Sequence, residues 1–156
     1  MISIASGRDL EELSFYIGRA YYNYKLLLER TLRGLGLDRL VSPGMGHLLF
    51  ALFEEDDCII RDIAARSQLS APTITVMLKR MEQGGLVEMR RDPDDGRAVR
   101  VRLSPLARSI EPRCWRVLDR LKAVLEKGMS KNEVAAARRA LDRMVANMRE
   151  DEERSS

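Results

Sequence analysis

Apolar positions recur at steps of three and four through Leu10, Leu13, Ile17, Ala20, Tyr24, Leu27, Thr31 and Leu35, which predicts an amphipathic helix of about seven turns. Gly34 and Gly36 are expected to end it, because glycine accepts the left-handed backbone at a helix C-terminus. A seam of that length cannot be buried on one short neighbour, so a second subunit is expected to cover it. Ser42-Pro43 then reads as the cap and first residue of a second helix, with Leu48, Leu49, Leu52 and Phe53 as its stripe. Its C-terminal end carries Glu54-Glu55-Asp56-Asp57, against the helix dipole, which should help to stop it. A short helix around Arg61 to Ser67 follows. Ser70-Ala71-Pro72 repeats the cap-and-proline signal and opens a helix to Gln83, closed by Gly84-Gly85.

The period then falls to two. Val87, Met89, Val99, Val101 and Leu103 alternate with Glu88, Arg90, Arg100 and Arg102 in the stretches 86–91 and 98–103. Between them lies Asp92-Pro93-Asp94-Asp95-Gly96, a hairpin-loop composition, so a two-stranded ribbon is predicted. Ser104-Pro105 caps a further long helix through Leu106, Ile110, Cys114, Val117, Leu118, Leu121 and Leu125, with a kink expected at Pro112. Gly128 ends that helix, and Ser130 with Glu133 forms a capping box for the last one, whose seam is Val134, Ala137, Leu141, Val145 and Met148. The tail 151–156 is expected to fray. The resulting fold class is mostly α with a small β-wing: a winged helix-turn-helix over 42–104, flanked by long dimerisation helices over 1–41 and 105–150.

With 156 residues, 45% apolar and 33% charged, the chain is expected to fold as one domain unit completed by a partner chain. No basic segment followed by an apolar run opens the sequence, and no stretch approaches the roughly 18 apolar residues of a spanning helix, which makes the cytoplasm the default location. Cys58 and Cys114 stand 56 positions apart without a CxxC, so they read as structural thiols, with redox sensing as the alternative. His47 is the single histidine, and there is neither a phosphate-cradling glycine loop nor a metal-ligand cluster, so no enzymatic activity, cofactor or metal is expected.

Charge adds a direction. Between Cys58 and Leu103 nine basic residues (Arg61, Arg66, Lys79, Arg80, Arg90, Arg91, Arg97, Arg100, Arg102) oppose six acidic ones (Asp62, Glu82, Glu88, Asp92, Asp94, Asp95). That excess equals the net charge of the whole chain, +3, and points to a polyanionic partner. Two short helices joined by Ser67-Gln68-Leu69 and followed by a ribbon form a helix-turn-helix with a wing. Ala64 and Ile74, with Leu69, Leu78 and Met81, are placed to hold the second helix on the first. If Ile74, Met77, Leu78 and Met81 face inward, a step of 100° per residue turns Pro72, Val76, Lys79 and Gln83 outward, flanked by Thr73, Thr75 and Arg80. Hydroxyls and methyls on that face suit base edges in a major groove, and the two cations suit phosphates. Ser70 and the positive helix end suit a further phosphate.

The run Ile63-Ala64, Leu69-Ser70, Thr73-Ile74-Thr75, Leu78, Arg80-Met81-Glu82, Gly85-Leu86-Val87, Asp95, Arg97 and Leu103-Ser104 resembles the MarR family of bacterial regulators, with Asp95-Gly96-Arg97 as its sharpest element. The resemblance implies a mostly helical homodimer that binds double-stranded DNA at a pseudo-palindromic operator, usually as a ligand-responsive repressor. It implies that Arg97 enters the minor groove and that Asp95 orients it. The candidate DNA-binding set is therefore Ser70, Pro72, Thr73, Thr75, Val76, Lys79, Arg80, Arg91, Asp95 and Arg97. The resemblance also implies a small-molecule effector site, for which Phe15, Tyr16, Tyr21, Tyr22, Tyr24, His47 and Trp115 are the available material and Tyr24 and His47 the chosen candidates; from its place beside the stripe of its helix, His47 reads first as a structural residue and only second as an effector contact. The rival function is a dimeric winged-helix protein-interaction module without DNA binding.

Overall fold

The computed structural model describes residues 12–67 and 69–155, so Leu10 and Gln68 lie outside the described residues. The elements follow in the order α1 (Leu13–Gly34), α2 (Met45–Glu54), β1 (Cys58–Ile59), α3 (Ile60–Ser67), α4 (Ala71–Gln83), β2 (Val87–Arg91), β3 (Val99–Leu103), α5 (Pro105–Leu125) and α6 (Lys131–Ser155). The chain divides into two compact units, one ending at Leu118 and the other running from Asp119.

The core of the first unit is built by the stripes that the periodicity marks. Leu48, Leu49 and Leu52 of α2, Ile63 of α3, Ile74, Leu78 and Met81 of α4, and Leu86 and Val101 are all essentially inaccessible. Burying each such side chain is worth about 1.5–3 kcal/mol before entropy is charged against it, so this cluster fixes how α4 sits on α2 and α3. α1 ends as expected: Gly36 takes φ 66°, and the Leu37 N–H closes on the Leu32 carbonyl at 2.8 Å. α4 ends likewise at Gly85, φ 70°, with the Leu86 N–H on the Met81 carbonyl at 2.8 Å.

Three expectations are corrected. The second helix begins at Met45, not at Pro43, because Gly44 adopts φ 97° and turns the chain, with the Met45 N–H on the Ser42 carbonyl at 3.1 Å. The ribbon is a three-stranded antiparallel sheet of order β1-β3-β2: Cys58 pairs with Val101 and Ile59 with Arg100 along the open edge of β3. Two residues are too few to show a period, which is why β1 left no trace in the sequence pattern. The tail does not fray before Ser155, since α6 runs to that residue, with Glu150 and Arg154 3.9 Å apart and the Ser155 hydroxyl on the Asp151 carbonyl at 2.9 Å.

α5 opens where Ser104 was expected to cap it. The Ser104 hydroxyl accepts the Ala107 N–H at 3.1 Å and donates to the Gly85 carbonyl at 2.6 Å, tying the start of α5 to the turn after α4. The helix continues through Pro112. In the second unit the capping box forms as expected: the Glu133 carboxylate accepts the Ser130 N–H at 2.7 Å, and Ser130 Oγ accepts the Glu133 N–H at 3.3 Å. The Ser130 N–H, and after it the Ser130 hydroxyl at 2.7 Å, donate to the Glu133 carboxylate and hold it below its ordinary value.

Candidate nucleic-acid interface

α4 presents two faces. Ile74, Leu78 and Met81 point into the core, while Pro72, Thr75, Val76, Lys79 and Arg80 are exposed, Val76 by 51%. An isolated apolar side chain that open, set between two cations and a threonine, matches what a thymine methyl in a major groove would meet. Thr73 is half-buried, and its hydroxyl lies 2.8 Å from that of Ser70. Ser70 occupies the N-cap position, yet its side chain makes no capping hydrogen bond; the hydroxyl pairs with Thr73 instead. The N-terminal N–H groups of α4 therefore keep the positive end that an anion could use.

The wing places Arg91 at the end of β2 and Asp95 and Arg97 in the loop, all exposed. The resemblance led to the expectation that Asp95 orients the Arg97 guanidinium. In the structure the Asp95 carboxylate accepts the backbone N–H of Arg97 at 3.0 Å, so it shapes the loop and leaves the guanidinium without an ion pair among the described residues.

Ion pairing sorts the nine basic residues of the segment into two groups. Arg66 pairs with Glu55 (2.7 Å), Arg90 with Asp57 (2.9 Å), Arg100 with Asp92 (2.7 Å) and Arg102 with Glu88 (2.7 Å). Among the described residues, Arg61, Lys79, Arg80, Arg91 and Arg97 have no acidic partner, and all five are exposed. Apart from Arg61, these are the cations already chosen for DNA. The structure thus separates arginines engaged by acids within the winged helix from cations left available to a polyanion.

The sequence reading missed the residues that hold this surface in place. Asp56 Oδ1 accepts the Leu103 N–H at 2.8 Å and its carboxylate pairs with Arg108 of α5; Asp57, at φ 52°, binds Arg90 of β2 through both carboxylate oxygens at 2.9 and 3.1 Å. The acidic run after α2 is therefore a set of anchors for the sheet, α3 and α5, beyond its expected role as a helix stop. Asp92, only 6% exposed, accepts the N–H groups of Asp94 and Asp95 at 2.8 and 3.0 Å and the Arg100 Nε at 2.9 Å. Those bonds hold its carboxyl below the usual value, the backbone N–H groups of Asp95 and Asp94 first and Arg100 after them.

The effector candidates Tyr24 on α1 and His47 on α2 are both exposed, and among the described residues neither belongs to the ring contacts of the structure. The aromatic cluster that does form is Phe50, Phe53 and Trp115: ring centroids lie 4.8 Å apart for Phe50 and Trp115, and 5.7 Å for Phe50 and Phe53. Its signal in the sequence was Phe50 and Phe53 three positions apart, on one face of α2. Both cysteines are buried and unpaired, and burial raises both thiols, with Arg66 pulling the other way at Cys58. Among the described residues there is no cluster of three His, Cys, Asp or Glu side chains able to hold a metal ion, and no helix is long and apolar enough to cross a membrane.

Comparison with known proteins agrees with this geometry. Residues 41–99 match the model of the MarR family. The HTH-type transcriptional repressor IacR of Pseudomonas putida is 27% identical over 139 residues, which span 88% of this chain and 81% of the relative. A probable transcriptional regulator from Pseudomonas aeruginosa superposes with a TM-score of 0.72 at 25% identity, covering 86% of this chain and 97% of the other. The PcaV transcriptional regulator from Streptomyces coelicolor, solved with its natural ligand, gives a TM-score of 0.79 at 22% identity over 90% of this chain and 97% of its own.

Proposed function

We propose that this chain, which carries a MarR-family winged helix over residues 41–99, is a sequence-specific, double-stranded-DNA-binding transcriptional regulator acting as a homodimer. The observation that carries the reading is the segregation of charge: among the described residues Lys79, Arg80, Arg91 and Arg97 stand exposed without acidic partners on α4 and the wing, while neighbouring arginines are consumed by ion pairs. α4 enters the major groove, with Pro72, Thr73, Thr75 and Val76 toward bases and Ser70, Lys79 and Arg80 toward phosphates. The wing delivers Arg97 to the adjacent minor groove, with Arg91 on the backbone and Asp95 shaping the loop.

A second copy of the chain supplies the symmetry. Leu13, Phe15, Tyr16, Ile17, Tyr21 and Tyr22 of α1 and Leu141, Val145 and Met148 of α6 are exposed in a single chain, more apolar surface than a soluble monomer leaves open. The output is ligand-responsive repression, with Tyr24 and His47 as the effector contacts; the name of the P. putida relative supports repression, and the S. coelicolor neighbour solved with its natural ligand supports a ligand. Trp115, the single tryptophan, reports on ligands that reach the rings of α2.

The test is selection of duplexes from a random pool by the purified chain, followed by footprinting. Two-fold symmetric half-sites about 10 base pairs apart are expected, with affinity that falls steeply as salt rises. Failure to shift even random duplex at low salt would replace this reading with a protein-interaction module.

A further inference from the structure

Arg90 of β2 and Arg100 of β3 stand directly opposite each other in register. Paired residues in an antiparallel ladder point to the same face, so two guanidinium groups share one patch at the base of the wing, an arrangement that is destabilising when uncompensated. Acids from elsewhere compensate each one. Arg90 is held by the Asp57 carboxylate at 2.9 Å; Arg100 is held by Asp92 at 2.7 Å and also donates to the Asp57 carbonyl.

Asp92 has a second task. While Oδ2 holds Arg100, Oδ1 accepts the N–H groups of Asp94 and Asp95, and Asp95 in turn accepts the N–H of Arg97. An unbroken series of hydrogen bonds therefore leads from the Asp57 backbone, through Arg100 and Asp92, to the loop that carries Arg97. The link is well built: the Asp92 side chain is 5% exposed and that of Arg100 27%, so water competes poorly for the pair.

We infer that Asp92 and Arg100 are positioning residues for DNA binding, which touch no DNA themselves and lock the wing loop so that Arg97 is presented in one pose. The inference rests on the DNA-binding reading given above. Asparagine at position 92 is the discriminating substitution. It has the same shape, and its one carbonyl oxygen can still receive the loop N–H groups, but its amide then turns donors toward Arg100, itself only a donor. Arg100 then keeps only the Asp57 carbonyl and stands opposite Arg90 without a carboxylate of its own, and the loop loses its side-chain tether to the body of the domain.

The experiment measures affinity at fixed salt for wild type, Asp92→Asn, Arg97→Ala and the double variant. Two probes are used: the duplex that wild type selects from a random pool, and a random-sequence duplex. Asp92→Asn is expected to weaken binding to the selected duplex about tenfold and to the random duplex much less, because a misplaced Arg97 forfeits its groove contact while the phosphate contacts of α4 survive. In the Arg97→Ala background the same substitution should change affinity less than about twofold, since its effect passes through Arg97. Arg100→Gln should reproduce this cycle, and it serves if Asp92→Asn does not fold. Wild-type affinity in Asp92→Asn, or a loss repeated undiminished in the Arg97→Ala background, overturns the inference while leaving the DNA-binding reading standing. Wild type that binds neither probe removes that reading itself.

Discussion

Single side chains divide into those that meet a partner and those that aim them. Asp92 was legible only as part of a turn-rich loop, because its bond to Arg100 spans eight residues and needs the register of β2 on β3, which composition does not specify. Asp57 was read as part of a helix stop for the same reason: Arg90 lies 33 positions away. The outward residues of α4 were legible, since a fixed angular step places them once the buried face is known. Thr73 and Thr75 nonetheless differ in exposure. Thr75 is exposed and its replacement by Ala should change the preferred base, at about 1–3 kcal/mol, read by repeating the duplex selection. Thr73→Ala also removes the hydroxyl partner of Ser70, so it should disturb the start of α4 as well as the base preference. The depressed carboxyl of Asp92 sets a pH dependence. Because the folded value lies below the unfolded one, its contribution is fully present above about pH 3.9 and is lost as pH falls through the folded value. Protection of the loop amides in 92–97, taken as exchange relative to the intrinsic rate at each pH, should therefore fall on acidification below about pH 4 in wild type, and should lack that step in Asp92→Asn.

Among elements, those with a long period were visible and those made by pairing were not. α1, α4, α5 and α6 each announce themselves by stripes, caps or closing glycines. β1 does not, since its two residues become a strand only because β3 offers them an edge. The start of α2 was misplaced because Ser42-Pro43 carries the usual cap signal, whereas the deciding feature is Gly44 at φ 97°. A Cβ at Gly44 would stand 2.9 Å from Met77 Cε, the end of a flexible side chain on α4 that can move aside. The backbone cost cannot be relieved in that way. Gly44→Ala should therefore destabilise the chain by about 1–2 kcal/mol, chiefly through the left-handed backbone, as measured by denaturant unfolding. Adding Met77→Ala should recover little of the loss; recovery of most of it would place the cost in the contact between α2 and α4.

At the scale of the whole molecule, the salt dependence of DNA affinity should follow those unpartnered cations that meet phosphates, not the number of basic residues. If Lys79, Arg80 and Arg91 meet phosphates in both protomers of a dimer, six phosphates are neutralised, and log affinity should fall with log salt at a slope of about −5. Counting every basic residue of the winged helix would predict a far steeper dependence. Two substitutions separate these accounts. Lys79→Gln removes one phosphate contact per protomer, so the slope should become shallower by about two. Glu88→Gln with Arg102→Gln removes a cross-strand ion pair that carries no net charge, 2.7 Å long and half-exposed on both sides. An exposed pair of this kind contributes about 0–1 kcal/mol to folding, so the double variant should remain folded. If Arg102 stays with Glu88 when DNA arrives, the slope should match that of wild type. If instead Arg102 leaves Glu88 for a phosphate, the double variant should lose about two units of slope, as Lys79→Gln does, and the sorting of arginines by ion pairing in the free protein would not describe the bound one.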